Sequence, residues 1–114
     1  MYGYGVSPTA YGLFPHYIRE YIRERGVLRL EEGIRKATSV PAQEVLGLRD
    51  RGIIREGAFA DILLLDIDEL REWNDFRNPS RPPEGINYVL VNGSVVWEGG
   101  RHTGKMPGKI LKRS

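Results

Sequence analysis

Apolar residues recur at a helical spacing early in the chain: Phe14, Tyr17, Ile18, Tyr21 and Ile22 fall at i, i+3, i+4, i+7 and i+8. Pro15 suits the first turn of a helix that begins at Leu13, and Gly26 stands just past its end. Arg19, Glu20, Arg23 and Glu24 fall on the opposite side, so the pattern predicts an amphipathic surface helix. Before it, Met1 to Gly12 carries three glycines and three tyrosines with no period, which predicts a loop whose tyrosine rings pack onto a neighbouring surface. A second helix is expected at about Glu31 to Thr38, where the paired acidic start complements the positive helix end. Pro41 opens a third, short one that Gly47 closes.

The stretch Arg51 to Asp66 changes the pattern. Gly52 and Gly57 bracket a short strand, Ile53-Ile54-Arg55, and the apolar run Ile62-Leu63-Leu64-Leu65 between Asp61 and Asp66 predicts a strand covered on both faces. The two aspartates read as turn formers at the strand ends rather than as catalytic carboxylates. From Ile67 to Gly85 the chain is rich in Pro, Asn and Asp. A segment that long without periodicity is expected to wrap over another surface, with Trp73 and Phe76 as its apolar anchors. Then Tyr88 to Trp97, with Asn92-Gly93 at its centre, predicts a two-residue type I′ hairpin, because Asn-Gly best tolerates two positive φ values.

Counting outward from that turn pairs Val91 with Ser94, Leu90 with Val95, Val89 with Val96 and Tyr88 with Trp97. One face would then carry Val89, Val91 and Val96, and the other Tyr88, Leu90, Val95 and Trp97. A hairpin with one wet face alternates polar and apolar residues, and this one does not. Four large side chains left without cover would each forgo ~1.5–3 kcal/mol of burial. That sum is comparable with the ~5–15 kcal/mol net stability of a whole domain. A partner sheet is therefore expected, from another chain or from another part of the same protein.

Composition narrows the class. The 114 residues amount to one domain or a piece of one, and the hydrophobic 40% and charged 28% are those of an ordinary globular protein. A net charge of +2 is too balanced for a nucleic-acid or membrane footprint, and the basic tail after Trp97 is expected to be solvated. With no cysteine there is neither a disulfide framework nor a thiolate zinc site, and the start lacks the basic and apolar regions of a secretory signal, so the cytoplasm is the expected compartment.

No nucleophile motif, phosphate loop or histidine pair at metal spacing is found, and no residue stands out as catalytic, as ligand-binding or as a metal ligand. GYG near the start is a flexible turn, and Pro107-Gly108-Lys109 lacks the flanking strand of a phosphate loop. His16 lies beside the apolar stripe of the first helix and the other histidine, His102, is in the tail. Each reads as a structural residue, because a metal ligand needs partners nearby.

The order FPHYIREYIRERGVLRLEEGIRKATSVPAQEVLGLRDRGIIREGAFADILLLD, followed by GINYVLVNGSVVWEGGRHTGKMPG, resembles the carboxy-terminal end of the N-acyl-D-amino-acid deacylases (D-aminoacylases) of the metal-dependent amidohydrolase superfamily. EGAFAD is common to many amidohydrolases; FP, TSVPAQEVLGL, VNG and TGKMPG together point to this branch. The resemblance implies an α/β fragment: terminal helices of a (β/α)8 barrel in residues 1–48, then the carboxy-terminal half of a small β-sandwich in residues 49–114. It implies zinc in the complete enzyme and none in this chain, because the family's metal ligands and catalytic aspartate would all precede Met1. Ser7 to Gly12 resembles the loop after that aspartate, with Ser7 where a histidine is usual.

Two functions compete on this basis. One is the carboxy-terminal part of a D-aminoacylase-like hydrolase, inactive alone and completed by a barrel polypeptide. The other is a non-enzymatic module that covers its hairpin by self-association or by binding another protein. An independent hydrolase built on His16 and nearby carboxylates would need converging ligands that the chain does not offer.

Overall fold

The computed structural model describes Ser7 and residues 9–112. Helix α1 (Thr9–His16) runs directly into a π-helical segment (Tyr17–Glu24), then come helix α2 (Leu30–Ala37) and a π-helical turn (Val40–Val45). Four strands follow: β1 (Ile62–Leu65), β2 (Ile86–Val91), β3 (Ser94–Glu98) and β4 (Arg101–His102). All pair antiparallel, in the order β1-β2-β3-β4.

The first helix starts before the apolar repeat does. Thr9 to Gly12 is helical rather than loop, and the remainder of the expected loop, Ser7 excepted, lies outside the described residues. Gly12 lies within the helix, where its missing side chain makes room for the amide of Asn74. Pro15 consequently sits in the last turn of α1, where it removes one N–H from the α ladder. The π-helical segment begins two residues later and closes with Arg25 N–H donating to the Glu20 carbonyl, five residues back, at 2.9 Å.

That segment buries Ile18 and Ile22, four apart, against Leu70, which is 1% exposed. Tyr17, Leu28, Ile34, Leu65, Ile67 and Ile86 pack around these three. Gly33 of α2 is bare where the Ile22 side chain crosses it, which lets the two helices meet closely. The core is therefore small and lies between the helices and one end of the sheet.

Several sequence expectations fail in the β part. Ile53-Ile54-Arg55 forms no strand: Gly52 and Gly57 take φ +75° and +85°, the chain turns between them, and Ile54 is 89% exposed. Strand β1 forms where expected but at the sheet edge, and only Leu65 reaches the core; Leu63 and Leu64 are each about half exposed. The long segment after Asp66 is anchored by Leu70 and not by its aromatics, since Trp73 is 42% and Phe76 90% exposed.

The hairpin turn is as the sequence predicts, with Asn92 at φ 49° and Gly93 at φ 79°. Its register is not. Val91 faces Ser94 and Leu90 faces Val95, but Val89 faces Trp97 and Tyr88 faces Glu98, because a bulge makes Val96 an extra residue in β3. Trp97 therefore shares a face with Val89, Val91 and Leu63, while Tyr88, Leu90 and Val95 share the other with Ile62 and Leu64. Both faces remain largely apolar, and no residue of the four strands is fully buried.

Candidate functional site

Two polar clusters hold the helices, the long loop and the hairpin in place. In the first, the carboxylate of Glu72 accepts from Arg19 Nε at 2.9 Å on one oxygen and from Arg19 Nη2 on the other, while His16 Nδ1 lies 2.7 Å from that second oxygen. Arg19 Nη1 reaches Glu24 at 2.8 Å and Glu20 at 3.3 Å. One turn further on, Arg23 Nη1 donates to the carbonyls of Ile67, Asp68 and Leu70 at 2.7, 2.9 and 3.0 Å. The face of the helix that looked solvated thus clamps the segment after β1 and seats Leu70 in the core.

The Arg19 hydrogen bond holds the Glu72 carboxyl at about 2, far below its ordinary 4.5, with burial opposing and His16 adding to the effect. Arg19 is correspondingly held still more firmly protonated than usual by Glu72. Because the folded value is depressed, this contact stabilises fully above about pH 4.5 and is lost as the pH falls toward about 2. The shift corresponds to about 3 kcal/mol at most. Acid denaturation followed by circular dichroism is expected to show a limb in that window, and Glu72→Gln to flatten it while lowering stability at neutral pH by ~1.5–3 kcal/mol. An unchanged acid limb in the variant would remove the clamp from the account.

The second cluster centres on Arg51, 8% exposed. Arg51 Nη1 pairs with Asp61 Oδ2, Nη2 donates to Asn92 Oδ1 at 2.7 Å, and the guanidinium lies 4.2 Å from the centroid of Phe59. Asp61 Oδ1 accepts from the backbone N–H of Asn92 at 2.9 Å, and Asn92 Nδ2 donates to the Pro107 carbonyl at 2.7 Å. Gly93 N–H closes onto the Ala60 carbonyl at 2.9 Å. One arginine thus joins the start of β1, the hairpin turn and the tail. Burial pushes the Asp61 carboxyl up, but the Asn92 N–H and the Arg51 guanidinium outweigh it and hold it below the usual range.

Both carboxylate oxygens of Glu72 and of Asp61 are taken by an arginine or a backbone N–H, and both groups are held below the usual carboxylate range. Among the described residues no three of His, Asp and Glu converge as a metal site would require. His16 is committed to Glu72, and His102, in β4, accepts from Gly104 N–H at 2.9 Å. Asp66 accepts from the N–H groups of Asp68 and Glu69 at 2.9 and 3.3 Å, the turn-forming role expected of it. Ser7 lies exposed beside Thr9, whose N–H donates to its hydroxyl at 3.4 Å. An open cleft of about 460 Å³ runs between Leu48, Asp50, Phe59 and the tail from Lys109 to Lys112. Among the described residues no helix is long and apolar enough to cross a membrane.

Sequence reasoning found neither cluster. Glu72 lies 53 residues from Arg19 and Asn92 lies 41 from Arg51. The one local hint was Arg51 and Asp61 bounding the segment that leads into β1.

Residues 4–97 match the amidohydrolase family. The chain is 37% identical over 106 residues to the N-acyl-D-glutamate deacylase of Alcaligenes xylosoxydans xylosoxydans and 36% identical over 104 residues to the N-acyl-D-aspartate deacylase of the same organism. These alignments take in 93% and 91% of this chain but 21% of each relative. The crystal structure of N-acyl-D-glutamate deacylase from Bordetella bronchiseptica, complexed with zinc and a phosphonate inhibitor, superposes with a TM-score of 0.83 at 33% identity, over 94% of this chain and 22% of that one. The chain spans about a fifth of the length of the curated relatives it matches.

Proposed function

This chain belongs to the amidohydrolase family, and from that premise we propose that it falls in the N-acyl-D-amino-acid deacylase branch and is the carboxy-terminal part of a hydrolase that cleaves the amide of N-acyl-D-amino acids. Residues 1–48 supply terminal helices of the barrel and residues 49–114 supply half of a small β-sandwich. The other half, and every group that touches substrate, come from a complementary barrel polypeptide.

The observation that carries this reading is the sheet. Its two faces are lined by Leu63, Val89, Val91 and Trp97 on one side and Ile62, Leu64, Tyr88, Leu90 and Val95 on the other, yet none of these residues is fully buried. Residues of that kind at such positions suit a sheet roofed by further strands. The zinc of the Bordetella relative does not fit the donors among the described residues, where no three of them converge and the histidines and clustered carboxylates are already engaged. The metal is therefore assigned to the complementary polypeptide. What the present residues contribute is shape: the Glu72 clamp fixes the helices against the sheet, and the Arg51 cluster fixes the hairpin that receives the missing strands.

The test is hydrolysis of N-acetyl-D-glutamate and N-acetyl-D-methionine with zinc, using the chain alone and together with the polypeptide encoded just upstream. No turnover alone and turnover with that neighbour are expected. A stable, active monomer would overturn the proposal. A soluble homo-oligomer by native mass that stays inactive with the neighbour would favour the interaction module, for which the open edge of β1 offers a pairing site.

A further inference from the structure

Asn92-Gly93 suits the hairpin turn, but it is also a pair that can modify itself. The glycine nitrogen loses its proton and attacks the asparagine Cγ; the N–Cγ bond forms, the Cγ–Nδ2 bond breaks and ammonia leaves. Water then opens the cyclic imide at one of its two carbonyls, giving aspartate or isoaspartate. A glycine leaves the attacking nitrogen unshielded because it has no Cβ. Asn92 is the only asparagine here followed by glycine; Asn74, Asn78 and Asn87 precede Asp75, Pro79 and Tyr88.

The fold engages every group that this reaction uses. Gly93 N–H donates to the Ala60 carbonyl at 2.9 Å, so a deprotonated nitrogen would face a carbonyl oxygen, which disfavours it. The Asn92 amide is fixed from both ends: Oδ1 accepts from Arg51 Nη2 and Nδ2 donates to the Pro107 carbonyl, each at 2.7 Å. It cannot turn toward the glycine nitrogen without giving up both partners. Asp61 Oδ1 holds the Asn92 N–H at 2.9 Å, and Arg51 is itself buried. Arg51 also polarises the amide carbonyl, which alone would ease attack. Here the attacking nitrogen is bonded elsewhere, so the restraint outweighs the polarisation. All of these contacts lie within the chain and hold whatever else covers it.

We infer that Asn92 is a latent deamidation site, kept intact by Arg51, Ala60 and Pro107 while the hairpin turn is seated and modified once the turn leaves them. The change runs one way. Either product lacks the Nδ2 donor to Pro107, and isoaspartate adds a backbone carbon to a two-residue turn, so the turn does not seat again as before. An opening of the Arg51 cluster is thereby recorded covalently. The inference uses no part of the family assignment.

The test compares the intact chain with an acetylated peptide of residues 88–97 in the same mildly alkaline buffer. Peptide mapping by mass spectrometry follows the exchange of ammonia for water at Asn92 and the isoaspartate formed, and circular dichroism follows the fold. Deamidation at least about tenfold slower in the chain is expected, since several hydrogen bonds must open together. Arg51→Met is expected to move the rate toward that of the peptide, whereas Glu72→Gln, which opens the other cluster, leaves it unchanged. If Arg51→Met does not fold, Arg51→Lys takes its place, with an intermediate rate. Chain carrying isoaspartate is expected to melt below the unmodified chain. Equal rates in chain and peptide would overturn the inference, as would equal acceleration by Glu72→Gln, which would make the protection one of overall stability. Slower deamidation in Arg51→Met would overturn it in favour of Arg51 as an activator, and an unchanged melting temperature after modification would overturn the one-way step.

Discussion

Arg51→Met is expected to lower the unfolding free energy by ~1.5–3 kcal/mol, the range for losing hydrogen bonds to a charged group, because the Asp61 carboxylate left behind keeps about a third of its side chain in water. The variant keeps most of the side-chain volume but leaves the Asp61 carboxylate without its cation and Asn92 Oδ1 without a donor. It also removes the guanidinium that lies over Phe59. Arg51→Lys keeps the charge but cannot span Asp61 and Asn92 with a fixed fork, so it should recover only part of the loss. Urea denaturation of the chain measures both. An Arg51→Met midpoint within experimental error of the parent would show that the hairpin turn and β1 are joined by other contacts.

Among the described residues, Gly85→Ala should be the costliest of the Gly→Ala changes. Gly85 has φ +87°, where a side chain is strained by ~1–2 kcal/mol. The new methyl would also lie 2.6 Å from Leu70 Cα, 2.7 Å from Leu70 N and 2.8 Å from the Glu69 carbonyl carbon. Those atoms are backbone and cannot swing aside, so overpacking adds ~1–3 kcal/mol. Because Asp66 N–H donates to the Gly85 carbonyl at 2.8 Å, the loss should appear as faster amide exchange at Asp66 and Arg71 as well as a lower melting temperature. Gly93→Ala is the control. It has a similar φ of +79° but open space around the added methyl, so it should cost the backbone strain alone. Equal losses at the two sites would mean that the Leu70 contact contributes nothing.

Much of the local structure was legible from the chain itself. Asn92-Gly93 fixes its own turn because few other pairs accept two positive φ values. The Ile62 to Leu65 run gives a strand, and the Ile18 and Ile22 spacing gives a helix with an inward face. The amidohydrolase family was legible too, and residues 4–97 match it. The register of the hairpin was not, because a bulge adds a residue without changing composition, and that one residue moved Trp97 to the other face.

The sequence by itself determined turns, helical and extended stretches, the lack of a thiolate site and the membership of a family. Each depends on the conformational preferences or the identity of residues close together in the chain. The tertiary structure alone decided that Arg19 meets Glu72, that Arg51 meets Asn92, that Leu70 rather than Trp73 enters the core, and that Ile53 to Arg55 stays out of the sheet. Those outcomes join residues dozens of positions apart, and an arginine on a helix surface reads the same whether water or a distant carboxylate waits beside it. Only the path of the intervening chain settles which of the two it meets.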